Sequence, residues 1–167
     1  MPALKKPRVR EAKPRDIGLF RKLWKLYLED QVEQGGVILP TEDNLEVYVN
    51  IFKMYVDEDI PEDAQTDGVV LFIGEVAMIM WGDSDSVVET TMGKTAYAWG
   101  VYVMPDHRGQ GLSDMLHREA IKKLVEFKFD TVYSSIVTDN VHGYEAFKRG
   151  TEREVHNVPE CQIYVKL

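Results

Sequence analysis

Cysteine is almost missing from this chain: Cys161 is the only one in 167 residues, which excludes an internal disulfide. It lies in CQIYVKL, a run that alternates like a strand, and so reads as a small buried hydrophobe instead of a reactive thiol. Histidine is scarce too. His107, His117, His142 and His156 are scattered without metal-ligand spacing, and no metal site is expected. No apolar run approaches the roughly 18 residues needed to cross a bilayer. The start MPALKKPRVR has basic residues with no apolar stretch behind them, so neither an anchor nor a secretory signal is expected, and the chain reads as cytoplasmic. Positive charge is in deficit: 20 Lys and Arg stand against 28 Asp and Glu, a net charge of −8. That balance excludes a protein that coats nucleic acid through its overall field, and any anion must be held locally.

What the chain does have is apolar residues, 44% of the total, enough for one sizeable core; residues 1–167 are read as a single domain. RVREA opens as a short strand, Asp16 stands where a helix N-cap would stand, and Phe20, Leu23, Trp24, Tyr27 and Leu28 follow at helical spacing up to the QGG of Gln34–Gly36. Leu45, Tyr48, Val49 and Phe52 predict a second helix from about Thr41. The stretch VDEDIPEDAQTDG then gathers acidic residues, which suits a solvated loop or a lip that attracts a cationic substrate.

VVLFI and VAMIMW, with only Gly74-Glu75 between them, predict two antiparallel strands joined by a two-residue turn. GDSDSVVETTMGK is a polar connection with room for a short extra strand at Val87–Thr91, and a long strand follows from about Thr95 to Val103. Gly100 sits inside it, where glycine marks a bulge or a close approach to the backbone. A helix from about Gln110 turns Leu112, Met115, Leu116, Ala120, Leu124 and Phe127 inward and sets Asp114, Arg118, Lys122 and Glu126 outward as i, i+4 pairs. TVYSSIV is a strand, a short helix follows Asn140, and EREVHN and CQIYVKL close the chain as a hairpin around Val158-Pro159. The order predicts an α/β (α+β) fold: a mixed sheet with helices packed on both faces.

The corner VYVMPDHRGQGLSDML, Val101–Leu116, carries the chemistry. A helix starting directly after a strand presents unpaired N–H groups and the positive end of its dipole at the strand's C-terminal edge. Gly109 and Gly111 let the backbone close on a phosphate, and Arg108 adds a charged donor. A tight turn that merely needs glycine is the structural alternative. The absence of Lys-Ser or Lys-Thr after the second glycine rules out a Walker loop, and the glycine spacing does not fit the dinucleotide fingerprint.

These residues resemble the GNAT superfamily of acetyl-CoA-dependent N-acetyltransferases, whose signature Arg/Gln-x-x-Gly-x-Gly/Ala lies between a bulged strand and a helix. Arg108-Gly109-Gln110-Gly111-Leu112-Ser113 matches it, with Ser113 as a departure, and Val101, Val103, Pro105 and Asp139-Asn140 stand in matching places over roughly residues 95–150. The resemblance implies a mostly antiparallel sheet with a splayed central strand and acetyl-CoA as acyl donor. The amides of Gln110 to Ser113 would wrap its pyrophosphate, with Arg108 and Gly109 at the same turn. The backbone of Val101, Tyr102 and Val103 would bond the pantetheine amides. Asn140 would contact the pantetheine arm, although an N-cap role is equally open to it. Where the family usually has a tyrosine that protonates the departing thiolate this chain has Phe147, and Tyr144, one turn earlier, is the nearest replacement or else a packing residue.

Acetyl transfer to an amine also needs an acceptor for the amine's proton. No carboxylate lies in Thr95–Val103, which leaves Glu89, Glu29 and Asp83 as candidates, with Glu89 preferred, or as ordinary surface carboxylates. The expected partner is a small-molecule amine or a peptide or protein amine, tilted toward cationic acceptors by the acidic stretches; a homodimer is compatible with this reading. The alternatives are a coenzyme A-binding regulator that has lost turnover, consistent with Phe147, and an interaction module whose glycine corner is only a turn.

Overall fold

A computed structural model describes residues 6–57, 59–61, 66–83, 93–135, 140–152, 156–158 and 162–166. Strand β1 (Val9–Glu11) leads through a short turn of 3-10 helix (Pro14–Asp16) into α1 (Ile17–Glu33), which is followed by α2 (Glu42–Val56). Strands β2 (Gly68–Ile73), β3 (Ala77–Gly82) and β4 (Thr95–Val103) come next, then a second 3-10 turn (Pro105–His107) and α3 (Leu112–Glu126). Strand β5 (Thr131–Ser135), α4 (Val141–Thr151), β6 (His156–Val158) and β7 (Gln162–Lys166) complete the order, which is the one read from the sequence. The strands form one sheet in the order β1-β2-β3-β4-β5-β7-β6, antiparallel throughout except for β4 and β5.

Alternation along the central strands builds two apolar layers. Val69, Leu71, Ile73, Ile79 and Trp81 face α3, whose Leu112, Leu116, Ala120 and Leu124 cover them together with Phe147 of α4. Val70, Phe72, Met78 and Met80 face the other way and meet Phe20, Leu23, Trp24 and Leu28 of α1 and Leu45, Val49 and Phe52 of α2. Phe20 stacks on both Trp24 and Phe52, with ring centroids 5.2 and 4.7 Å apart. Thr41 caps α2 through its side chain, which accepts from the Asn44 N–H at 3.3 Å.

Several local expectations are corrected. The β2–β3 turn has three residues, not two. Ile73 pairs with Ala77, the Val76 N–H closes a β-turn on the Ile73 C=O at 3.2 Å, and Gly74 takes φ 53°, so Val76 belongs to the turn. Asp16 holds the N-cap position of α1 without capping it, because its carboxylate turns back to the Lys13 N–H at 2.8 Å and to Arg10 at 2.7 Å. The Arg10 guanidinium accordingly holds the Asp16 carboxyl below the usual carboxylate range. Phe127 is not inward: α3 ends at Glu126, Phe127 is 37% exposed, and Phe129 takes the buried place beyond the turn.

The i, i+4 pairs along α3 do not form either. Asp114 meets Arg149, Arg118 meets Glu152, Lys122 meets Glu119, and Lys123 takes Glu11 and Glu126. Three of these ties leave the helix, since ion partners from neighbouring elements lie closer than the next turn. At the C-terminal side α4 extends to Thr151, and the described part of the strand read in EREVHN is β6, His156–Val158. The extra strand at Val87–Thr91, Glu89, Asp139, Pro159 and Cys161 lie outside the described residues.

Candidate active site

Strand β4 comes apart from its neighbour. It pairs with β5 only through Thr95–Thr131, Ala96–Val132 and Tyr97–Tyr133, while its pairing with β3 continues to Val103. The cause is a bulge: Met80 pairs with Gly100 and Trp81 with Ala98, which leaves Trp99 as the extra residue and bends the strand. One step past the last ladder pair the Ser134 hydroxyl donates to the Ala98 C=O at 3.3 Å. Beyond it the strands diverge.

The peptide groups released by this divergence can be named. The Met104 N–H donates to the Val76 C=O at 2.8 Å, toward β3. Successive peptide groups of a strand point to opposite sides, so those of Val103 and Val101 are turned away from β3 into the opening. Glycine permits a close approach here: the Tyr27 ring lies against Gly100, and the Tyr27 hydroxyl donates to the Trp99 C=O at 3.3 Å. Burial pushes that hydroxyl's pKa well above its ordinary value.

The opening is a cleft of about 780 Å³ between β4, α3 and α4, with the end of α1 on its rim. It brings together Val101, Tyr102, Val103, Arg108, Gly109, Gly111, Leu112, Ser113 and Asn140 of the residues expected from the sequence. Gln110 is exposed outside it. Gly109 and Gly111 adopt φ 75° and 74° with nothing within 4 Å of where a Cβ would stand, which leaves the turn open to a ligand. Gly111 is the N-cap of α3, whose first amides and dipole point the same way. The Asn140 side chain accepts from the Gly143 N–H at 2.7 Å and therefore caps α4 at the cleft wall.

Two arginines in the cleft rest on carboxylates. Arg108 donates from Nε to the Val103 C=O at 2.9 Å and from its terminal nitrogen to Asp30 at 2.9 Å, while Asp30 also accepts from Gln34 at 2.8 Å. Its guanidinium lies 5.8 Å from the centre of the Tyr102 ring, and burial raises the Tyr102 hydroxyl's pKa against the pull of Arg108. Arg149 of α4 binds Asp114 at 3.0 Å, and that hydrogen bond raises its pKa. Asp30, Gln34 and Arg149 were missed in the sequence. A cation in the last turn of α4 and a polar i, i+4 pair at the end of α1 were the available signals.

Beside the cleft, a cavity of about 80 Å³ lies where β4 and β5 part, bordered by Gly100, Val101, Ser134, Asn140, Phe147 and His117. Phe147 is 4% exposed and tilts against Trp81 at 5.7 Å. His117 was also missed. It is fully buried, and desolvation lowers its pKa to about 4 against the raising effect of its hydrogen bond to Ser113. Tyr144 is partly buried against the apolar layer under α3 and lines neither cavity. Glu29 is exposed on α1, and the Asp83 C=O accepts from the Tyr55 hydroxyl. Among the described residues no group of three or more His, Cys, Asp or Glu could hold a metal ion, and no helix is long and apolar enough to cross a membrane.

The family model for the acetyltransferase (GNAT) family matches residues 53–151, more than half of the chain, including the bulged strand, the glycine turn and α3. The chain belongs to this GNAT family. Solved structures agree in fold. The ribosomal-protein-alanine N-acetyltransferase of Brucella melitensis is 16% identical with a TM-score of 0.67, over 96% of this chain and 99% of that one. YncA of Salmonella typhimurium, solved with its cofactor acetyl-CoA, is 14% identical with a TM-score of 0.65, over 96% and 92%. The PaiA N-acetyltransferase of Thermoplasma acidophilum, in complex with coenzyme A, is 11% identical with a TM-score of 0.62, over 97% and 99%. No sequence match is found among curated proteins. This GNAT chain thus has the fold of its relatives with a phenylalanine where the resemblance implied a tyrosine.

Proposed function

We propose that the chain is an N-acetyltransferase that moves an acetyl group from acetyl-CoA to a cationic amine. The observation that carries the reading is the parting of β4 from β5, which leaves the Val101 and Val103 peptide groups facing a cleft that ends in an open glycine turn and a helix N-terminus. Strand-like hydrogen bonding along β4 suits the pantetheine amides, and the amides from Gln110 to Ser113, with Arg108 and Gly109, suit the pyrophosphate. Leu112 is buried and contributes backbone only. Arg149, at the same cleft, adds a second cation for the phosphates.

Acetyl-CoA supplies the thioester whose carbonyl carbon the amine attacks. The chain is assigned its orientation, and the N–H of Val101 or Val103 is assigned the polarisation of the carbonyl. Asn140 positions the pantetheine arm, and Phe147 closes the apolar end. Tyr144 is assigned the return of a proton to the sulfur, which asks its side chain to move toward the cavity from the adjacent face of α4. Glu89 is assigned the amine's proton. The acceptor's cationic character rests on the net charge of −8 and on the acidic connection, where Asp59 is exposed while Asp67 is already paired with Lys94.

The test is release of free thiol from acetyl-CoA with a panel of cationic, neutral and acidic amines at low and high salt. Turnover with cationic amines that weakens with salt supports the proposal; preference for neutral or acidic amines overturns the acceptor class. The second reading, a coenzyme A-binding regulator, is favoured by the buried Phe147, and calorimetric binding of coenzyme A with no thiol release from any amine would establish it.

A further inference from the structure

His117 is placed with more care than a packing residue needs. Its Nδ1 lies 2.7 Å from the Ser113 C=O. A carbonyl oxygen only accepts, so Nδ1 carries the hydrogen, and in the neutral ring Nε2 is a bare lone pair. That Nε2 is buried and has no partner among the described residues, while the ring borders the small cavity where β4 and β5 part. Buried acceptors are ordinarily satisfied, and an unpaired one in a ring that borders a cavity is available to a donor that the neighbouring side chains admit. The surroundings are built around the ring. Gly150 of α4 has no side chain where a Cβ would stand 2.5 Å from Nδ1, and the ring centroids of Trp81 and Phe147 lie 5.2 and 6.1 Å from that of His117 in edge contacts.

Resting on the acetyltransferase reading of the same cleft, we propose that His117 Nε2 accepts a hydrogen bond from the thiol of free coenzyme A and so distinguishes the product from the thioester. The thioester sulfur has no hydrogen to give. A thiol S–H is a weak donor, but Nε2 is desolvated in advance, and the bond forms without stripping water from it. The cavity of about 80 Å³ admits a sulfur atom with its neighbouring carbon. His117 is on this account a specificity-determining residue for the state of the cofactor, and free coenzyme A is held more firmly than a ligand lacking the thiol.

The experiment uses the whole chain and two ligands, coenzyme A and desulfo-coenzyme A, in which hydrogen replaces the thiol. Calorimetry should show coenzyme A bound about three- to tenfold more tightly, the size of one net hydrogen bond, and His117→Phe should abolish that difference. In nitrogen-15-labelled wild-type protein the His117 Nε2 resonance should move upfield with coenzyme A and not with the desulfo compound, a measurement that needs no variant to fold. Equal affinities, a difference that survives in His117→Phe, or equal movement of Nε2 with both ligands would overturn the assignment while leaving the acetyltransferase reading intact. Failure of both ligands to bind would sink that reading and this one together.

Discussion

The ring of Tyr27 lies against the α-carbon of Gly100, close enough that a Cβ there would stand 2.8 Å from Cζ. Helix α1 and the bulge of β4 are thereby locked: the ring sits on the residue at which the strand bends, and the hydroxyl holds the Trp99 C=O of the bulge itself. Gly100→Ala should cost about 1–3 kcal/mol, the usual range for overpacking, and should weaken coenzyme A binding. In a Tyr27→Ala background the same substitution should cost clearly less. Additive losses in that double-mutant cycle, measured by denaturant unfolding, would show that the contact does not set the bulge.

Asp30 keeps Arg108 on the Val103 carbonyl, an oxygen that the proposed function gives to the ligand. Asp30→Ala should free the guanidinium for phosphate and leave that carbonyl open, tightening coenzyme A binding about two- to fivefold. Because the pair is partly exposed, stability should change by no more than about 1 kcal/mol. Weaker binding in Asp30→Ala would mean that the ion pair organises the cleft instead of guarding it.

Gly111 and Gly74 both sit at positive φ with open space around them, yet only Gly111 lies at the cleft. Gly111→Val and Gly74→Val should each lose about 1–3 kcal/mol through backbone strain. Coenzyme A affinity should fall at least about tenfold in the first, where a branched side chain would meet the pyrophosphate, and stay unchanged in the second. Titration calorimetry on the pair separates strain from blockage, and equal affinities would refute the anion-site argument.

His117 makes stability depend on acid. Burial lowers its folded pKa to about 4, with Asp114 on α3 raising and Arg149 on α4 lowering it further, against 6.5 for a free imidazole. Between those values the unfolded chain binds a proton that the folded chain refuses, so stability falls as pH falls from about 6.5 and levels off below about 4. The contribution lost is about 3 kcal/mol. His117→Phe should flatten this part of the stability curve relative to wild type, and parallel curves would show that the ring is not neutral in the fold.

Tyr144 can be tested by removing one oxygen. If it returns the proton to sulfur, Tyr144→Phe should lower kcat by about ten- to a thousandfold with coenzyme A affinity nearly intact, and the alkaline limb of the rate profile should change. Unchanged kcat and pH profile would leave protonation to solvent and Tyr144 to packing.

The sequence made the order of elements legible because apolar period and glycine punctuation agree at each step. Gly100 and the Arg108–Ser113 turn were readable for the same reason, as local backbone demands. What stayed hidden depends on partners distant in the chain. His117 looked like one scattered histidine because its burial is created by Trp81, Phe147 and Gly150, from β3 and α4. Arg108 was expected at a phosphate, but Asp30, 78 positions away, holds it in the free chain. The ion partners of α3 were misread likewise, since helical spacing is blind to Glu11, Arg149 and Glu152.

The three-residue pairing of β4 with β5 makes a seam. Among the described residues, β5 and α4 are tied to the rest of the fold by that short ladder, by the backbone bonds of Asp130 and Thr131 to Lys94, by the Ser134 hydroxyl, and by the packing and ion pairs of α4 on α3. A ligand lying in the opening would touch β4 and α3 on one side and Asn140 on the other, and so would act as mortar between two unequal blocks. Amides of β5 and α4 should then exchange with solvent sooner than those of β2 and β3 in the free protein, and the contrast should shrink when the seam is filled.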